Sequence, residues 1–347
     1  FIVPGNSFDN VKGQFPIGFF IWDTNQKEVF EETTTTIYDS KGEELLQNAF
    51  LKFKLSVRAY EKILKVARTI ADLNDTNVIV WLRQYYDKQG ESIGFLRMNG
   101  TNIQNNLGIY ITSKLSDNDI HNHFYAEITK TNILPMCIYL SIRETVNANW
   151  INDRDQYLVP SSKWEDDKEF QYNCLIHSLF SGQNRIQSQH GTNHWIPFSE
   201  EEVGAQDNFE SHFIHDFIMG KVKEEKPQQK ETMQDLFAEQ EPQTTGGSSF
   251  TPTGPLEFSQ EAQAVLDAGR ELWRYYHKQA GANPNASYYD IKMHFQGTKT
   301  TKSGKLQMNS TSEDATYNTL LANLRQAMKG LAAHIEPKVY EYGFLKK

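Results

Sequence analysis

Two pairs of cysteine and histidine residues have the spacing of metal ligands. Cys174 and His177 are three residues apart, and His190 and His194 are four apart, which matches the spacing of a zinc finger. Three histidines with one cysteine are an unusual ligand set, however, and Gly182 separates the pairs at the end of an apolar run. We therefore predict that the pairs belong to a helix and a polar loop, and that the chain holds no metal.

Two other short runs contain the letters of nuclease motifs. His121, Asn122 and His123 are consecutive, whereas the nuclease motif distributes such residues along a ββα unit. Glu224-Glu225-Lys226 lies in a charged stretch without a preceding strand. We interpret both runs as solvated loops. No glycine-rich loop follows a strand, and no nucleophile constellation stands out, so the sequence predicts no complete active site within this chain.

The charge is distributed unevenly along the 347 residues. The net charge of −9 argues against a protein coated in nucleic acid. Residues 257–347 nevertheless hold 12 basic against 9 acidic residues, which leaves the rest of the chain at −12. Within that part, residues 291–312 contain four lysines and no acid, namely Lys292, Lys299, Lys302 and Lys305. We expect the basic surface of the protein to lie there.

Cysteine usage and hydropathy bear on the compartment. Cys137 and Cys174 lie in apolar surroundings and are interpreted as buried free thiols, which favours a reducing environment. No apolar run reaches the roughly 18 residues of a membrane span, and no signal-peptide pattern opens the sequence. We expect a soluble, cytoplasmic protein with no membrane partner.

The first 24 residues predict two buried strands. The apolar runs 1–8 and 15–24 flank a polar turn, as in a hairpin. The run from Ile17 to Trp22 is apolar on both alternating faces, which is typical of the centre of an α/β sheet. We expect this hairpin to be the last one of a sheet whose other strands precede it. A stretch from Thr33 to Tyr38 follows as a predicted edge strand.

Periodicity predicts a mixed α/β (α+β) protein in four regions. They are the end of a sheet at 1–40, a mixed α/β region at 41–220, a Gln-, Pro-, Gly- and Ser-rich linker at 221–256 and a helical module at 257–347. Strands are predicted at Ile93–Met98 and Leu107–Thr112. Helices are predicted over 55–70, 76–86, 135–150, 163–180 and 209–217, then from 260, capped by Ser259, and over 317–335.

Three runs together resemble one family. Phe1–Thr24 resembles the segment after the catalytic motif of N6-adenine DNA methyltransferases from restriction–modification systems. The stretch from Trp150-Ile151-Asn152-Asp153-Arg154-Asp155-Gln156-Tyr157 through Cys174 to Trp195-Ile196-Pro197-Phe198 resembles the middle of their C-terminal half. Phe258–Trp273 and Ile335-Glu336-Pro337-Lys338-Val339-Tyr340 resemble their tail.

The resemblance implies what such an enzyme contains and what this chain lacks. In that family a seven-stranded Rossmann-like sheet carries a glycine motif that binds S-adenosylmethionine and an Asn/Asp-Pro-Pro-Tyr/Phe motif that holds the extruded adenine; neither motif occurs here. The chain thus looks like the C-terminal portion, with the terminal hairpin of that sheet. An aromatic near this hairpin stacks on the adenine. Phe8 is the first candidate and Phe15 the second, with a core phenylalanine as the alternative.

Target recognition by such an enzyme requires amide and guanidinium groups that read base edges in the major groove. Two polar loops are rich in these groups, one at Asn102, Gln104 and Asn105 and the other at Gln183, Asn184, Arg185, Gln187, His190 and Asn193. Each could equally be an ordinary polar loop. The four lysines Lys292, Lys299, Lys302 and Lys305 are expected to hold phosphates rather than to specify sequence.

The leading hypothesis is the target-recognition portion of a site-specific DNA N6-adenine methyltransferase, with duplex DNA as its partner. The S-adenosylmethionine site would lie in a missing N-terminal catalytic part, and a restriction nuclease is a further candidate partner. The alternative is a stand-alone DNA-binding specificity protein, or a truncated gene product without catalytic activity.

Overall fold

The structure is a computed structural model, and its described part covers most of the chain beyond residue 76. Described are residues 77–86, 90–122, 124–149, 152, 155–222, 254–301, 304 and 306–345, with the backbone of four short strands nearer the N-terminus. The chain divides into two compact units, residues 1–76 with 147–155, and residues 77–146 with 156–347.

The first unit contains a mixed four-stranded sheet. Its strands are β1 (Ile2–Pro4), β2 (Pro16–Gly18), β3 (Thr36–Tyr38) and β4 (Glu44–Gln47), in the order β2-β1-β3-β4. β1 pairs antiparallel with β2 and parallel with β3. The predicted pairing of the first two apolar runs is therefore present. The prediction that Thr33–Tyr38 forms an edge strand is wrong, because β4 pairs with the far side of β3.

The second unit is built on another mixed sheet. Its strands are β5 (Ser92–Met98), β6 (Tyr110–Thr112), β7 (Phe124–Thr129) and β8 (Asn184–Arg185), in the order β7-β5-β6-β8. β5 is antiparallel to both of its neighbours, whereas β6 and β8 are parallel. A separate two-stranded ribbon consists of β9 (Thr298–Thr300) and β10 (Leu306–Met308).

Nine α-helices are described, all in the second unit. They are α1 (Val78–Arg83), α2 (Asp117–Asn122), α3 (Ile133–Thr145), α4 (Lys168–Phe180), α5 (Glu200–Val203), α6 (Phe213–Ile218), α7 (Gln260–His277), α8 (Tyr288–Gln296) and α9 (Ala315–Glu341). Three short 3-10 helices lie at Ile103–Gly108, Ser162–Glu165 and Ser188–His190. The mixed α/β class is thus confirmed at this coarse level. Among the described helices, none is both long and apolar enough to cross a bilayer.

The core of the second unit surrounds α3. Every residue of this helix except Glu144 is buried, as expected of a helix that is apolar on all sides. It packs against α4 and against the inner face of the sheet, where Leu96, Ile111 and Ile128 are fully buried. Removal of this surface from water is the main driving force for folding of the unit.

Helices α7 and α9 form the second layer. The apolar positions predicted for α7 are the ones that are buried, and Ser259 caps it by accepting a hydrogen bond from the Ala262 amide. α7 packs lengthwise against α9 and also contacts α4. Gly269 makes the α4 contact possible, since a Cβ there would lie 2.4 Å from Cε1 of Phe180.

Several predicted boundaries differ from the observed ones. The predicted strand Leu107–Thr112 begins only at Tyr110, because residues 103–108 form a 3-10 turn. The predicted helix from Lys163 to Phe180 is divided, and its α-helical part begins at Lys168 and is capped by Asp167. Ser199 and Glu202 form a capping box with hydrogen bonds in both directions.

Candidate functional site

The outer face of the second sheet displays cationic and aromatic side chains. Arg97 on β5 lies opposite Tyr110 on β6, and Arg185 on β8 lies opposite Thr112. Because side chains alternate along a strand, these residues share the face turned away from the core. Both guanidinium groups lie over the Tyr110 ring, with Cζ 5.3 Å from its centroid for Arg97 and 3.9 Å for Arg185.

The two arginines differ in their charge partners. Arg97 Nε donates to Asp119 Oδ1 at 2.8 Å, and Arg97 Nη1 donates to the Gly108 carbonyl at 2.6 Å. Burial tends to raise the pKa of Asp119, but hydrogen bonds from Ser116 and the Arg97 charge outweigh it and hold the pKa below its usual value. Arg97 is therefore neutralised locally. Arg185 donates instead to the uncharged side chain of Gln183, at 2.6 Å.

The loop 183–194 is held in place by its two buried asparagines. The Asn184 amide donates to the carbonyls of Ser178 and Leu179, at 3.1 and 3.3 Å. The side-chain nitrogen of Asn193 donates to the backbone carbonyl of Asn285 at 3.1 Å. The side-chain oxygen of Asn193 accepts from the backbone N–H of Trp195 at 2.9 Å. In this conformation both side chains serve the loop itself.

The same loop is fastened to the connection between α7 and α8. The Ser188 amide donates to Asp290 Oδ2 at 2.9 Å, and the Ser287 hydroxyl donates to the Ile186 carbonyl at 2.5 Å. The side-chain nitrogen of Asn283 donates to the Ser188 hydroxyl at 3.0 Å. The loop is thus fixed from both sides before any ligand arrives, which limits the entropy that binding would cost.

Accessible amides remain at the surface of this loop. Gln189 and His190 are exposed, and Gln183 and Gln187 are half-buried. Gln189 Nε2 donates to Gln187 Oε1 at 2.6 Å, so the two amides are oriented by each other. Such a pair offers both donors and acceptors, which is what recognition of a base edge requires.

The second predicted set, Asn102, Gln104 and Asn105, lies at the opposite end of the sheet from residues 186–194. The set comes before β6, whereas residues 186–194 follow β8, which is parallel to β6. Gln183 comes before β8, and its O accepts from Ile111 N at 3.0 Å. Asn105 donates to the Asn102 side chain, whereas Gln104 is exposed.

Arg143 fixes this second loop from beneath. The side chain is fully buried in α3. Its guanidinium donates to the carbonyls of Gly100 and Asn102 at 3.0 and 3.2 Å and to the Asn106 side chain at 2.8 Å. It also lies 4.6 Å from the Tyr157 ring centroid. A buried charge that is satisfied in this way positions the backbone around it.

Helix α8, which carries Lys292, packs against β8, which carries Arg185, although the two residues were predicted from separate parts of the sequence. Lys292 is only 8% exposed, and its ammonium lies 4.2 Å from the Tyr288 ring centroid. Burial, together with the charges of Arg325 on α9 and of Arg185, lowers the pKa of Lys292 to about 8, and Glu144 opposes this shift only in part.

Lys299 lies on the exposed ribbon that follows α8. All three residues of β9 are exposed, and Asn309 N donates to Gly297 O at 3.0 Å where the ribbon leaves the helix. The predicted residues Lys302 and Lys305, and the stacking candidates Phe8 and Phe15, lie outside the described residues.

Two of these residues have no signal in the amino-acid sequence. Tyr110 follows only from the strand pairing, and Arg325 is one polar residue on a helix whose apolar stripe draws attention elsewhere. Neither residue type nor spacing distinguishes them.

The cysteine and histidine pairs occupy different surroundings. Cys174 and His177 are buried in α4, and burial lowers the pKa of His177 to about 4, which leaves it neutral at pH 7. Burial raises the pKa of the Cys137 thiol to about 12. His190 is exposed, and His194 Nδ1 lies 2.7 Å from the Ser211 hydroxyl. Over the described part of the chain, no three potential metal-ligating side chains come together.

One comparison with known proteins gives a match. The family model described as magnesium chelatase, subunit ChlI C-terminal, matches residues 24–80. Within that stretch the structure describes only β3, β4 and residues 77–80. No curated protein and no solved structure matches the chain.

Proposed function

We propose that this chain is the target-recognition portion of a site-specific DNA N6-adenine methyltransferase. The observation that supports it most is the packing of α8, which carries Lys292, against β8, which carries Arg185, beside the amides of loop 183–194. Cations that hold phosphates and amides that read bases then share one surface, as a protein that reads duplex DNA requires.

Each part of that surface has a separate task. Gln187 and Gln189 are the candidates for base contacts in the major groove, because their amides are accessible and mutually oriented. Lys292 and Lys299 are assigned to the phosphate backbone, and they set the register of the loop on the duplex. The methyl group would come from S-adenosylmethionine bound by a catalytic part outside this chain.

The magnesium chelatase match does not bear on this surface. It ends at residue 80, before the first residue of the outer sheet face or of either polar loop. The surface on which DNA recognition is proposed therefore lies outside the matched stretch.

Selection from a random pool of duplexes tests base recognition. The wild-type chain is expected to enrich one short sequence. Gln187→Ala should relax the preference at one or two base pairs by about 1–3 kcal/mol, or five- to 150-fold. Gln263→Ala removes an amide from the exposed face of α7 and should leave the preference unchanged. Failure of the wild type to enrich any sequence would contradict a recognition role.

Calorimetric titration with S-adenosylmethionine tests the assignment of the cofactor. The chain alone is expected to release no binding heat. Tight binding would place a cofactor site within this chain and overturn that part of the proposal.

A further inference from the structure

A chain of hydrogen bonds leads from the end of α3 to the start of loop 183–194. Glu144 lies in the last turn of α3, and its Oε2 accepts from the Ser181 hydroxyl at 2.5 Å. Ser181 is buried and is the first residue after α4. The same Ser181 Oγ accepts from the backbone N–H of Gln183 at 2.8 Å. One hydroxyl therefore joins a carboxyl group of α3 to the backbone that enters the loop.

Gln183 in turn holds a cationic residue of the outer sheet face. Its side-chain oxygen accepts from Arg185 Nη2 at 2.6 Å, and its backbone carbonyl accepts from the Ile111 N–H at 3.0 Å. Arg185 Cζ lies 3.9 Å from the Tyr110 ring centroid. A displacement of Gln183 would therefore move both the Arg185 guanidinium and the start of the loop.

The strength of these hydrogen bonds depends on the charge of Glu144. A serine hydroxyl has one proton to donate, and its oxygen accepts at the same time. While Glu144 is ionised, Ser181 donates its proton to the carboxylate and keeps its oxygen for the Gln183 N–H. A hydrogen bond to a carboxylate is roughly twice as strong as one between neutral groups. Protonation of Glu144 therefore weakens the bond that orients Ser181.

The surroundings of Glu144 place its titration near neutral pH. Burial raises the pKa of the carboxyl to about 7, whereas the Ser181 hydrogen bond and the charges of Arg185 on β8 and Lys292 on α8 lower it. From α4, His177 Nδ1 lies 4.0 Å from Glu144 Oε2, and burial lowers the pKa of that histidine to about 4. A change from pH 6 to pH 8 therefore alters the charge of Glu144 and leaves His177 neutral.

We propose that Glu144 is a positioning residue for target recognition, and that it acts through Ser181 on the start of loop 183–194. Resting on the proposed function, ionised Glu144 holds Gln183 and Arg185 in the arrangement in which the loop reads its preferred sequence. With Glu144 neutral, the chain still binds duplex DNA through its cations, but it discriminates less between sequences.

The ratio of the affinities for the preferred duplex and for a scrambled duplex, measured at pH 6 and pH 8, tests this role. Removal of a negative charge strengthens binding to every duplex alike, and the ratio cancels that effect. Glu144→Gln keeps the shape of the side chain and an acceptor for Ser181 but removes the charge. At pH 8 its ratio should be about three- to ten-fold lower than that of the wild type. At pH 6 the wild-type carboxyl is neutral, and the two ratios should agree.

Two further variants separate this role from a purely structural one. Glu127→Gln removes an exposed carboxylate from β7 and is the matched control, which should keep the wild-type ratio at pH 8. Ser181→Ala removes the connecting hydroxyl, so its ratio should be low at both pH values, and adding Glu144→Gln to it should lower the ratio no further. Because Glu144→Gln avoids a buried charge, it should be less selective at pH 8 without being less stable.

Hydrogen exchange at the Gln183 amide, without DNA, distinguishes failure of this inference from failure of the proposed function. At pH 8 this amide should exchange several-fold faster in Glu144→Gln than in the wild type. If it does, but the wild type discriminates between no duplexes, the coupling stands and the proposed function fails. If the wild type discriminates but Glu144→Gln has the same ratio at both pH values, the role of Glu144 is refuted while DNA recognition stands. An unchanged exchange rate at pH 8 refutes the coupling whatever the duplex result.

Discussion

Arg143 and Glu144 are adjacent in the sequence and have opposite environments. The Arg143 guanidinium is buried and donates to four acceptors, among them the Tyr139 hydroxyl at 2.7 Å. The Glu144 carboxyl has one hydroxyl donor, from Ser181. Helix α3 carries both residues. The hydrogen-bonded guanidinium of Arg143 stabilises the loop at residues 100–106, whereas the Glu144 carboxyl, which has fewer partners, has a raised pKa.

The raised pKa of Glu144 makes the stability of the protein depend on pH. The Glu144 carboxyl binds its proton more tightly in the folded state than in the unfolded state. This binding stabilises the folded state fully at pH values below the usual pKa of 4.5, and the stabilisation is lost as the pH rises to about 7. The loss is about 3 kcal/mol at most. The lowered pKa of His177, about 4, has the opposite effect. Its contribution to the free energy of unfolding increases as the pH rises from about 4 to about 6.5. In the wild type the two dependences offset each other over much of this range.

Glu144→Gln separates the two dependences. At pH 5 the free energy of unfolding of the variant should equal that of the wild type, whose carboxyl is then neutral. At pH 8 the variant should be more stable by about 1–3 kcal/mol, since it avoids a buried charge. Urea denaturation between pH 5 and 8 measures the difference. Glu127→Gln, at an exposed position of β7, is the control for the loss of a surface carboxylate. A stability difference for Glu144→Gln that does not change with pH would contradict the assignment.

Single residues also mark the limit of what the sequence predicts. The amide-rich composition of loop 183–194 was evident, but sequence cannot distinguish Asn184 and Asn193, which are buried, from Gln189, which is exposed. Lys292 was predicted as one of four lysines of a basic surface that holds phosphates. Its burial depends on the packing of α8 against β8, which is a tertiary contact.

Two helices, α8 and α5, begin with capping boxes that differ in their contacts to loop 183–194. Ser287 and Asp290 cap α8, and Asp290 also accepts from the Ser188 amide in loop 183–194. Ser199 and Glu202 cap α5 in the same way, without contact to that loop. The first box therefore couples a helix end to the proposed DNA surface.

Asp290→Ala is expected to cost about 0.5–2 kcal/mol of stability and to weaken duplex binding several-fold, because the loop loses an anchor. Hydrogen exchange should show faster exchange at residues 186–190. Glu202→Ala should cost a similar amount of stability with duplex affinity unchanged. Equal affinities of the two variants would show that the loop does not depend on Asp290.

The packing of α7 on α4 depends on a helical glycine. Gly269→Ala gains about 1 kcal/mol of helix propensity, but its Cβ would overlap the Phe180 ring, which is enclosed by Phe198, Trp273 and Tyr288. We expect a net loss of about 1–2 kcal/mol in chemical denaturation. Gly330→Ala in α9 has nothing within 4 Å and should be stabilising. A stabilising Gly269→Ala would contradict the close packing.

Elements with strong local signals were predicted well, and elements set by distant contacts were not. α7 and its Ser259 cap follow from periodicity and cap chemistry. The turn at Ile103–Gly108 depends on hydrogen bonds that Arg143 donates to the carbonyls of Gly100 and Asn102, about 40 residues earlier in the sequence. No local pattern therefore predicts it. The interior position of β3 similarly depends on its pairing with β4.

At the scale of the whole molecule, the second unit includes chain from both sides of residues 223–253. Leu256 N donates to Ile218 O at 2.8 Å, so the chain that precedes this stretch and the chain that follows it meet directly. The loop 183–194 and α8, which come from opposite sides of the stretch, thereby form one surface. The predicted domain boundaries at 221 and 256 stay predictions.

Net charge and local charge give opposite expectations for this protein. The chain as a whole carries −9, which disfavours diffuse attraction to nucleic acid. Arg185 and Lys292 are carried by β8 and α8, which pack against each other, and Lys299 lies on the exposed ribbon that follows α8. Binding, if it is confined there, involves few phosphates and has a moderate salt dependence.

Titration of a labelled duplex with the whole chain at several salt concentrations therefore tests whether the protein recognises DNA. We expect saturable binding whose log K falls linearly with log salt, with a slope of about −4 to −5 for roughly four to six phosphate contacts. Absence of saturable binding at low salt, or an affinity that does not respond to salt, would contradict it.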